Sequence, residues 1–328
     1  MSEMTYRDAL NLALKEEMRR DPSVVTWGED VALYEGSFKV TRGLLAEFGE
    51  ERVKDTPISE NTIVGVAIGA AMGGLRPVAE LMTVNFALLA MDQIVNHMSK
   101  IRSMFGGQVF LPMVIRMPGG GGSQLAAQHS QSLETFFMHT PGFRIAYPAT
   151  PADAKGLLKA AIRDNNPVIF LEHELLYNSK GEVSEDPEFL VPFGRAAVMR
   201  EGSDVTIVAY ARMSVLALQA ATELESEGIS CEVVDLRTLN PLDTATFVES
   251  VKKTGRAVVV EECWATCGLG AEIAFRIHSA CFDTLLAPVK RVSGLDVPMP
   301  YSRKLEKLCI PQVETIAAAV KEALSGKY

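Results

Sequence analysis

Short runs of β-branched and aliphatic residues alternate with longer segments of helical period along most of the chain, a pattern that predicts parallel sheets covered by helices on both faces. The clearest strand signals are residues 23–27, 77–81, 112–117, 143–146 and 168–172. Between them the spacing predicts helices over 61–74, 86–105 and 151–164, the last with Thr150 as its cap and Pro151 at the first helical position. An amphipathic helix over 1–20 carries Tyr6, Ala9, Leu10, Leu12, Ala13 and Leu14 among its apolar positions. Periodicity fails from 173 to 203, where Asn178-Ser-Lys-Gly-Glu-Val-Ser-Glu-Asp-Pro-Glu is polar, acidic and turn-rich. The alternation then restarts, with strands over 204–209, 231–235, 257–261 and 289–293 and helices over 213–227, 241–252, 268–279 and 313–324. The expected organisation is a domain over 1–185, a connection over 186–203 and a smaller α/β domain over 204–328.

Composition mainly narrows the partners. With 328 residues and 48% hydrophobic content the chain can bury two cores. A net charge of -9 argues against binding nucleic acid or an anionic membrane surface. The longest apolar run, 62–75, is shorter than a bilayer span, and residues 1–20 lack the features of a secretory signal, so a cytoplasmic location is expected. Five scattered cysteines, Cys231, Cys263, Cys267, Cys281 and Cys309, suit a reduced compartment and give no zinc spacing.

Several motifs invite chemical readings. The run Gly119-Gly-Gly-Gly122 lacks the Lys-Ser/Thr of a nucleotide phosphate loop, and Gly268-Leu-Gly270 lacks the third glycine of a dinucleotide turn, although a helix start there could hold an anion. Gly65, Gly69 and Gly73 recur on one side of a helix, a stripe suited to close packing inside the fold or between subunits. Glu60 stands where the loop Thr56-Pro57-Ile58-Ser59 becomes an apolar helix. It reads either as a first-turn acid favoured by the helix dipole or as a carboxyl group whose apolar setting raises its proton affinity. His129, in Gln128-His129-Ser130-Gln131, has the best chemical claim of the five histidines, against the alternative of a solvated loop imidazole. Glu29 and Asp30 end the first strand, where parallel sheets place functional groups and where turn acids are also common.

Trp27-Gly-Glu-Asp-Val, Asp55-Thr-Pro-Ile-Ser-Glu-Asn, Gly74-Leu-Arg-Pro-Val-Ala-Glu-Leu-Met, Ala127-Gln-His-Ser-Gln-Ser, Ile162-Arg-Asp-Asn-Asn-Pro-Val and Asp296-Val-Pro-Met-Pro-Tyr together resemble one family over essentially the whole chain. It is the beta subunit of the 2-oxo acid dehydrogenases, in the transketolase-like thiamine diphosphate superfamily. The resemblance implies an α/β fold: a pyrimidine-binding parallel-sheet domain followed by a smaller transketolase C-terminal-like domain. It implies that Glu60 hydrogen-bonds N1′ of the cofactor's aminopyrimidine and promotes the tautomer that deprotonates the thiazolium carbon. Ile58, Met82 and Phe86 match positions that contact the aminopyrimidine ring, and Glu29 matches an acid in the polar network around the cofactor glutamate. His129 matches the histidine that faces substrate and assists reductive acylation of the lipoyl group. The carbonyls of Met113, Ala161, Asp164 and Asn166 correspond to a potassium-binding turn.

The superfamily's Gly-Asp-Gly motif for magnesium and diphosphate does not occur in the sequence. By resemblance, those donors come from an alpha subunit in a heterotetramer of two alpha and two beta chains. The further partners implied are the peripheral subunit-binding and lipoyl domains of a dihydrolipoyl acyltransferase, and a 2-oxo acid. Arg163-Asp-Asn-Asn-Pro and Leu175-Leu-Tyr-Asn favour pyruvate over branched-chain substrates, while Met104-Phe-Gly-Gly-Gln and Lys180-Gly-Glu-Val also look like acetoin dehydrogenase beta subunits. Two readings of other kinds stand beside these: a docking and assembly subunit without catalysis, and a free-standing synthase with its own diphosphate site.

Overall fold

The computed structural model describes residues 1–326. The chain forms two compact units, one of Met1–Gly119 with Phe136–Phe193, the other of Gly120–Thr135 with the chain from Gly194 onward.

The first unit contains strands β1 (Ser2–Thr5), β2 (Val24–Gly28), β3 (Val53–Asp55), β4 (Arg76–Glu80), β5 (Val114–Gly119), β6 (Arg144–Ala146), β7 (Val168–His173) and β8 (Lys180–Val183). Its helices are α1 (Tyr6–Arg20), α2 (Leu44–Phe48), α3 (Glu60–Met72), α4 (Ile101–Met104) and α6 (Pro151–Arg163), with α5 (Glu134–Met138) at the boundary. The main sheet runs β6-β7-β5-β4-β2-β3 and is parallel at every pairing. Every residue of β2, β5 and β7 is buried. Successive side chains of a strand face opposite ways, so this sheet is covered on both faces. Thr150 caps α6 by accepting from the Asp153 N–H, and Pro151 occupies the first turn, as the sequence requires.

Burying ionic groups in such a sheet requires pairing. Arg116 on β5 donates to both oxygens of Glu172 at 2.7 Å and to Glu80 at 2.5 Å, and the Tyr177 hydroxyl donates to Glu172 at 2.7 Å. Burial pushes the Glu80 carboxyl up against the lowering pull of Arg116. Burial also opposes the charge on Arg116, but Glu172 and Glu80 outweigh it and hold the guanidinium proton more firmly than usual.

Three local expectations differ from the structure. The helix expected over 86–105 is broken into a tight 3₁₀ run Val84–Ala90, a wide π-type turn Asp92–Met98 and α4. Wide turns of this kind interrupt regular helices near functional sites. The polar stretch after 178 holds β8, which pairs antiparallel with β1, and the connection over 186–203 carries strand β9 (Ala197–Arg200). Both are short edge strands with little apolar patterning, so alternation gives them no signal. Of the glycine stripe, a Cβ on Gly65 would meet the Gln93 side chain at 3.4 Å, while Gly69 faces open space.

The second unit adds β10 (Val205–Ala209), β11 (Cys231–Asp235), β12 (Thr238–Asn240), β13 (Ala257–Trp264) and β14 (Lys290–Gly294). Its helices are α7 (Arg212–Glu225), α8 (Thr244–Thr254), α9 (Leu269–Cys281), α10 (Arg303–Cys309) and α11 (Val313–Ser325). Its sheet runs β14-β13-β10-β11-β9, with only β9 antiparallel to its neighbour. Val205, Ile207 and Ala209 form a core with Met213, Ala217, Ala220 and Leu224 of α7 and with Ile316 and Val320 of α11. On the opposite face, the Thr206 hydroxyl bonds to Ser250 and Thr254 of α8.

Polar groups are buried here too. Glu134 is fully enclosed, accepts from the Tyr210 hydroxyl at 2.7 Å, and is pushed up to about 7, chiefly by burial. Among the described residues no helix is long and apolar enough to cross a membrane.

Two stability tests follow. Arg116→Leu leaves Glu80 and Glu172 buried without a counter-charge, and denaturant unfolding is expected to show a loss of about 3–5 kcal/mol. A loss under about 1 kcal/mol would mean the carboxylates find other donors or lose their charge. For Glu134, the folded pKa of about 7 lies above the ordinary 4.5, so the folded chain keeps a proton that the unfolded chain releases in that interval. Stability therefore falls as pH rises from 4.5 to about 7 and the penalty stays in place above it. Glu134→Gln removes this titration, and the stability difference between variant and parent should grow across that window by up to about 3 kcal/mol. Parallel pH profiles would count against it.

Candidate active site

In an open parallel sheet the ligand crevice lies outside the carboxyl ends of the strands, where the strand order reverses. In the first unit that point is β2, with β3 on one side and β4 on the other; Gly28 at its end lies opposite both Asp55 and Glu80. Glu29 follows β2 directly, residues 56–59 lead from β3 to Glu60 at the start of α3, and Met82 follows β4 by two residues. Phe86 stands on the 3₁₀ run Val84–Ala90, which packs against α3. Three separate stretches of sequence, those after β2, β3 and β4, thus bring Glu29, Ile58, Glu60, Met82 and Phe86 to one end of one sheet.

Their environments differ in a chemically useful way. Glu60 is 4% exposed and Glu29 6%, Met82 and Phe86 are half-buried, and Ile58 is 80% exposed. Ser59 bonds the Thr62 hydroxyl and does not cap α3. Among the described residues no side chain or backbone group donates to the Glu60 carboxylate. Glu29 Oε1 is buried without a partner, and so is the Thr56 hydroxyl. Burial, then the neighbouring charges of Glu60 and Asp30, holds the Glu29 carboxyl above its usual range. Asp55 fixes the loop after Glu29 by accepting from the Ala32 and Leu33 N–H groups at 2.7 and 3.1 Å. The unpaired Thr56 hydroxyl was not singled out from the sequence, because a loop threonine carries no mark of its burial.

The turn that follows α6 is a cluster of carbonyls. Met113 O accepts from the Val168 N–H at 2.9 Å, and Ala161 O from the Asp164 N–H at 3.3 Å. The Arg76 guanidinium donates to the carbonyls of Ile162 and Asp164 at 3.0 and 3.1 Å, and Arg102 donates to the Asn166 side chain. Arg76 therefore already occupies two of the carbonyls of this turn, and Arg102 and Arg144 pair with the side chains of Asn166 and Asp164.

His129 belongs to the second unit, whose sheet reverses its order at β10 and β13. The ends of these strands carry Tyr210, Arg212, Glu261 and Glu262. Gly121 N–H donates to Glu262 Oε1 at 2.7 Å, and the Ser132 hydroxyl donates to the same oxygen at 3.1 Å. Gly122 and Gln124 N–H groups donate to Glu306 Oε1 at 3.0 and 3.1 Å. A Cβ on Gly121 would fall 2.6 Å from the end of the Ile310 side chain, which would have to shift. His129 itself is exposed, its N–H donating to Ala126 O at 3.3 Å, and the adjacent Ser130 is buried with a hydroxyl that meets no partner. The second glycine pair is also filled from within. Gly270 N–H at the start of α9 donates to Glu261 at 2.5 Å, and a Cβ at Gly270 would strike that carboxylate.

Two family models cover most of the chain: the transketolase pyrimidine-binding domain matches residues 2–180 and the transketolase C-terminal domain matches 194–316. A curated "Pyruvate dehydrogenase E1 component subunit beta" from Rickettsia bellii is 52% identical over 320 residues, covering 98% of each chain. One of the same name from Rhizobium meliloti is 51% identical over 321 residues, covering 98% of this chain and 70% of the relative. The mitochondrial form from Dictyostelium discoideum is 48% identical, covering 97% and 90%. Among solved structures, a "Split gene transketolase, inactive beta4 tetramer" superposes with a TM-score of 0.81 at 27% identity, covering 99% of this chain and 100% of that one. With its two transketolase-type domains and half its residues shared with these relatives from end to end, the chain belongs to the family of pyruvate dehydrogenase E1 component beta subunits.

Proposed function

We propose that this chain is the beta subunit of a thiamine-diphosphate-dependent pyruvate dehydrogenase, which decarboxylates pyruvate and passes the acetyl group to the lipoyl group of a dihydrolipoyl acyltransferase. The observation that carries the proposal is the pair Glu60 and Glu29: two buried acids, one with an oxygen that meets no partner, at the point where a parallel sheet presents its crevice. An unpaired buried acid is costly and is retained where a ligand completes it. The residues fit an aminopyrimidine: Glu60 to hold a proton at N1′, Glu29 behind it to keep the local field negative, and Ile58, Met82 and Phe86 as an apolar wall that excludes water. When bound, thiamine diphosphate supplies the electron sink for loss of carbon dioxide. His129 is assigned to the transfer step, where an exposed imidazole can exchange protons with the incoming lipoyl group.

The diphosphate and its magnesium are assigned to an alpha subunit. Supporting this, the chain has no Gly-Asp-Gly, and among the described residues no cluster of His, Cys, Asp and Glu is suited to a metal. Val66 and Met72 on α3 and Leu88 and Leu89 on the 3₁₀ run Val84–Ala90 are exposed apolar residues of the same unit, which suits contact with a partner chain in a two-alpha, two-beta assembly. The solved transketolase relative bears the description of an inactive β4 tetramer, a state we propose for this chain without its alpha subunit. Potassium at the carbonyls of Met113, Ala161, Asp164 and Asn166 would have to share the turn with Arg76, so the fit there is partial. No step is assigned to it. We place the protein in the cytoplasm, in keeping with its Rickettsia and Rhizobium relatives.

With a matched alpha subunit, Glu60→Ala should lower pyruvate decarboxylation by about 10²–10⁴-fold while the heterotetramer still forms. Full activity in that variant would sink the assignment and leave the chain a docking and assembly subunit. Assays of pyruvate, branched 2-oxo acids and acetoin side by side test the substrate, and preference for acetoin would overturn pyruvate. Titration of the isolated chain with thiamine diphosphate and magnesium should show weak binding, whereas tight binding would contradict the split site. His129→Ala should slow transfer to lipoyl groups more than decarboxylation; equal losses in the two half-reactions would reduce His129 to positioning.

A further inference from the structure

We propose that Glu262 and Glu306 are positioning residues that fix the His129 loop as a ligand of the second unit's own sheet. The proposal rests on the reading of His129 given above for its catalytic consequence, but its structural part stands on the hydrogen bonds alone.

The crevice of the second sheet lies where β10 and β13 adjoin, the place at which a sheet of this kind ordinarily receives a ligand. Here the chain's own segment, residues 120–135, is held by Glu262 near the end of β13, by Tyr210 just after β10 and by Glu306 of α10. One oxygen of Glu262 takes the N–H of Gly121 and the hydroxyl of Ser132, so residues eleven apart in sequence are tied to a single atom and the loop is closed at its neck. Arg212 pairs with the other oxygen at 3.4 Å, which orients Glu262. Glu306, 2% exposed at the middle of α10, takes the next two amides, those of Gly122 and Gln124. Below the neck, Tyr210 holds Glu134. Tyr210 and Arg212 flank Ala211, a non-glycine residue with φ of 49°, so a strained turn presents both grips at once.

His129 is five residues past Gln124 and three before Ser132, on the part of the loop that these bonds leave exposed. A loop pinned at its neck loses little entropy on binding and keeps the imidazole at a fixed height. Charged acceptors suit the purpose, since amide donors to a carboxylate form bonds roughly twice as strong as neutral ones.

The test uses the assembly with alpha subunit and thiamine diphosphate. Glu262→Ala and Glu306→Ala should each raise amide hydrogen exchange in residues 121–132 by about tenfold or more. They should also lower kcat/KM for the lipoyl domain by about tenfold, a larger loss than in decarboxylation measured with an artificial acceptor. Glu262→Gln, whose amide oxygen still accepts from Gly121, should restore most of both. Unchanged exchange over 121–132 in both alanine variants overturns the proposal, as does equal loss in the two half-reactions or failure of Glu262→Gln to recover. His129→Ala serves as the control: if it leaves lipoyl transfer intact, the reading of His129 falls, and the exchange data alone decide whether Glu262 and Glu306 pin the loop.

Discussion

A carboxylate taken out of water must be met by donors, and this constraint organises both units. In the first, Glu80 and Glu172 are met by Arg116, whose guanidinium spans the carboxyl halves of three neighbouring strands. In the second, Glu261 takes the Gly270 amide, Arg291 and Ser293, and Glu262 and Glu306 take the amides of the loop that carries His129. Each is satisfied by groups whose positions are set by strands and helix ends, so satisfying the charge also fixes the backbone that supplies the donors.

Against that rule Glu29 and Glu60 stand out. They are as buried as the structural acids, yet one oxygen of Glu29 has no partner and, among the described residues, no donor bonds the Glu60 carboxylate. A fold that provides donors for every other acid of this kind just described could have provided them here. Leaving these two open keeps a proton-accepting site available to something that arrives later, and burial, with the neighbouring charges of Glu60 and Asp30, raises the proton affinity of Glu29.

The strands of both main sheets were legible because a parallel strand buried on both faces is a continuous apolar run, and Val205–Ala209 or Val168–His173 can hardly be read otherwise. Glu60 and Glu29 were legible by position, one at a helix start and one at a strand end, and their pairing was implied by family resemblance. What stayed hidden depends on contacts distant in sequence. Nothing local marks Glu262 or Glu306 as acceptors for residues 121–124, more than a hundred positions away, and Arg116 reads as an interruption of an apolar strand until Glu80 and Glu172 flank it. The break of the expected helix over 86–105 was equally invisible, since its apolar spacing continues through the wide turn at Asp92–Met98.

The glycine-rich turns carry the last step. Gly119–Gly122 and Gly268–Gly270 have the small residues and free amides from which phosphate cradles are built, and the sequence alone leaves that use open for the second of them. In the structure both sets of amides face acids of the same chain: Glu262 and Glu306 at the first, Glu261 at the second. A phosphate entering either turn would have to displace a buried carboxylate that has its own partners, such as Arg212 or Arg291. The chain's best anion-receiving backbone is therefore committed internally. This is in keeping with the proposal that the diphosphate and its metal are held by an alpha subunit. The same glycines that resemble a nucleotide loop in sequence thus serve, once folded, to tie the backbone to the chain's own acids.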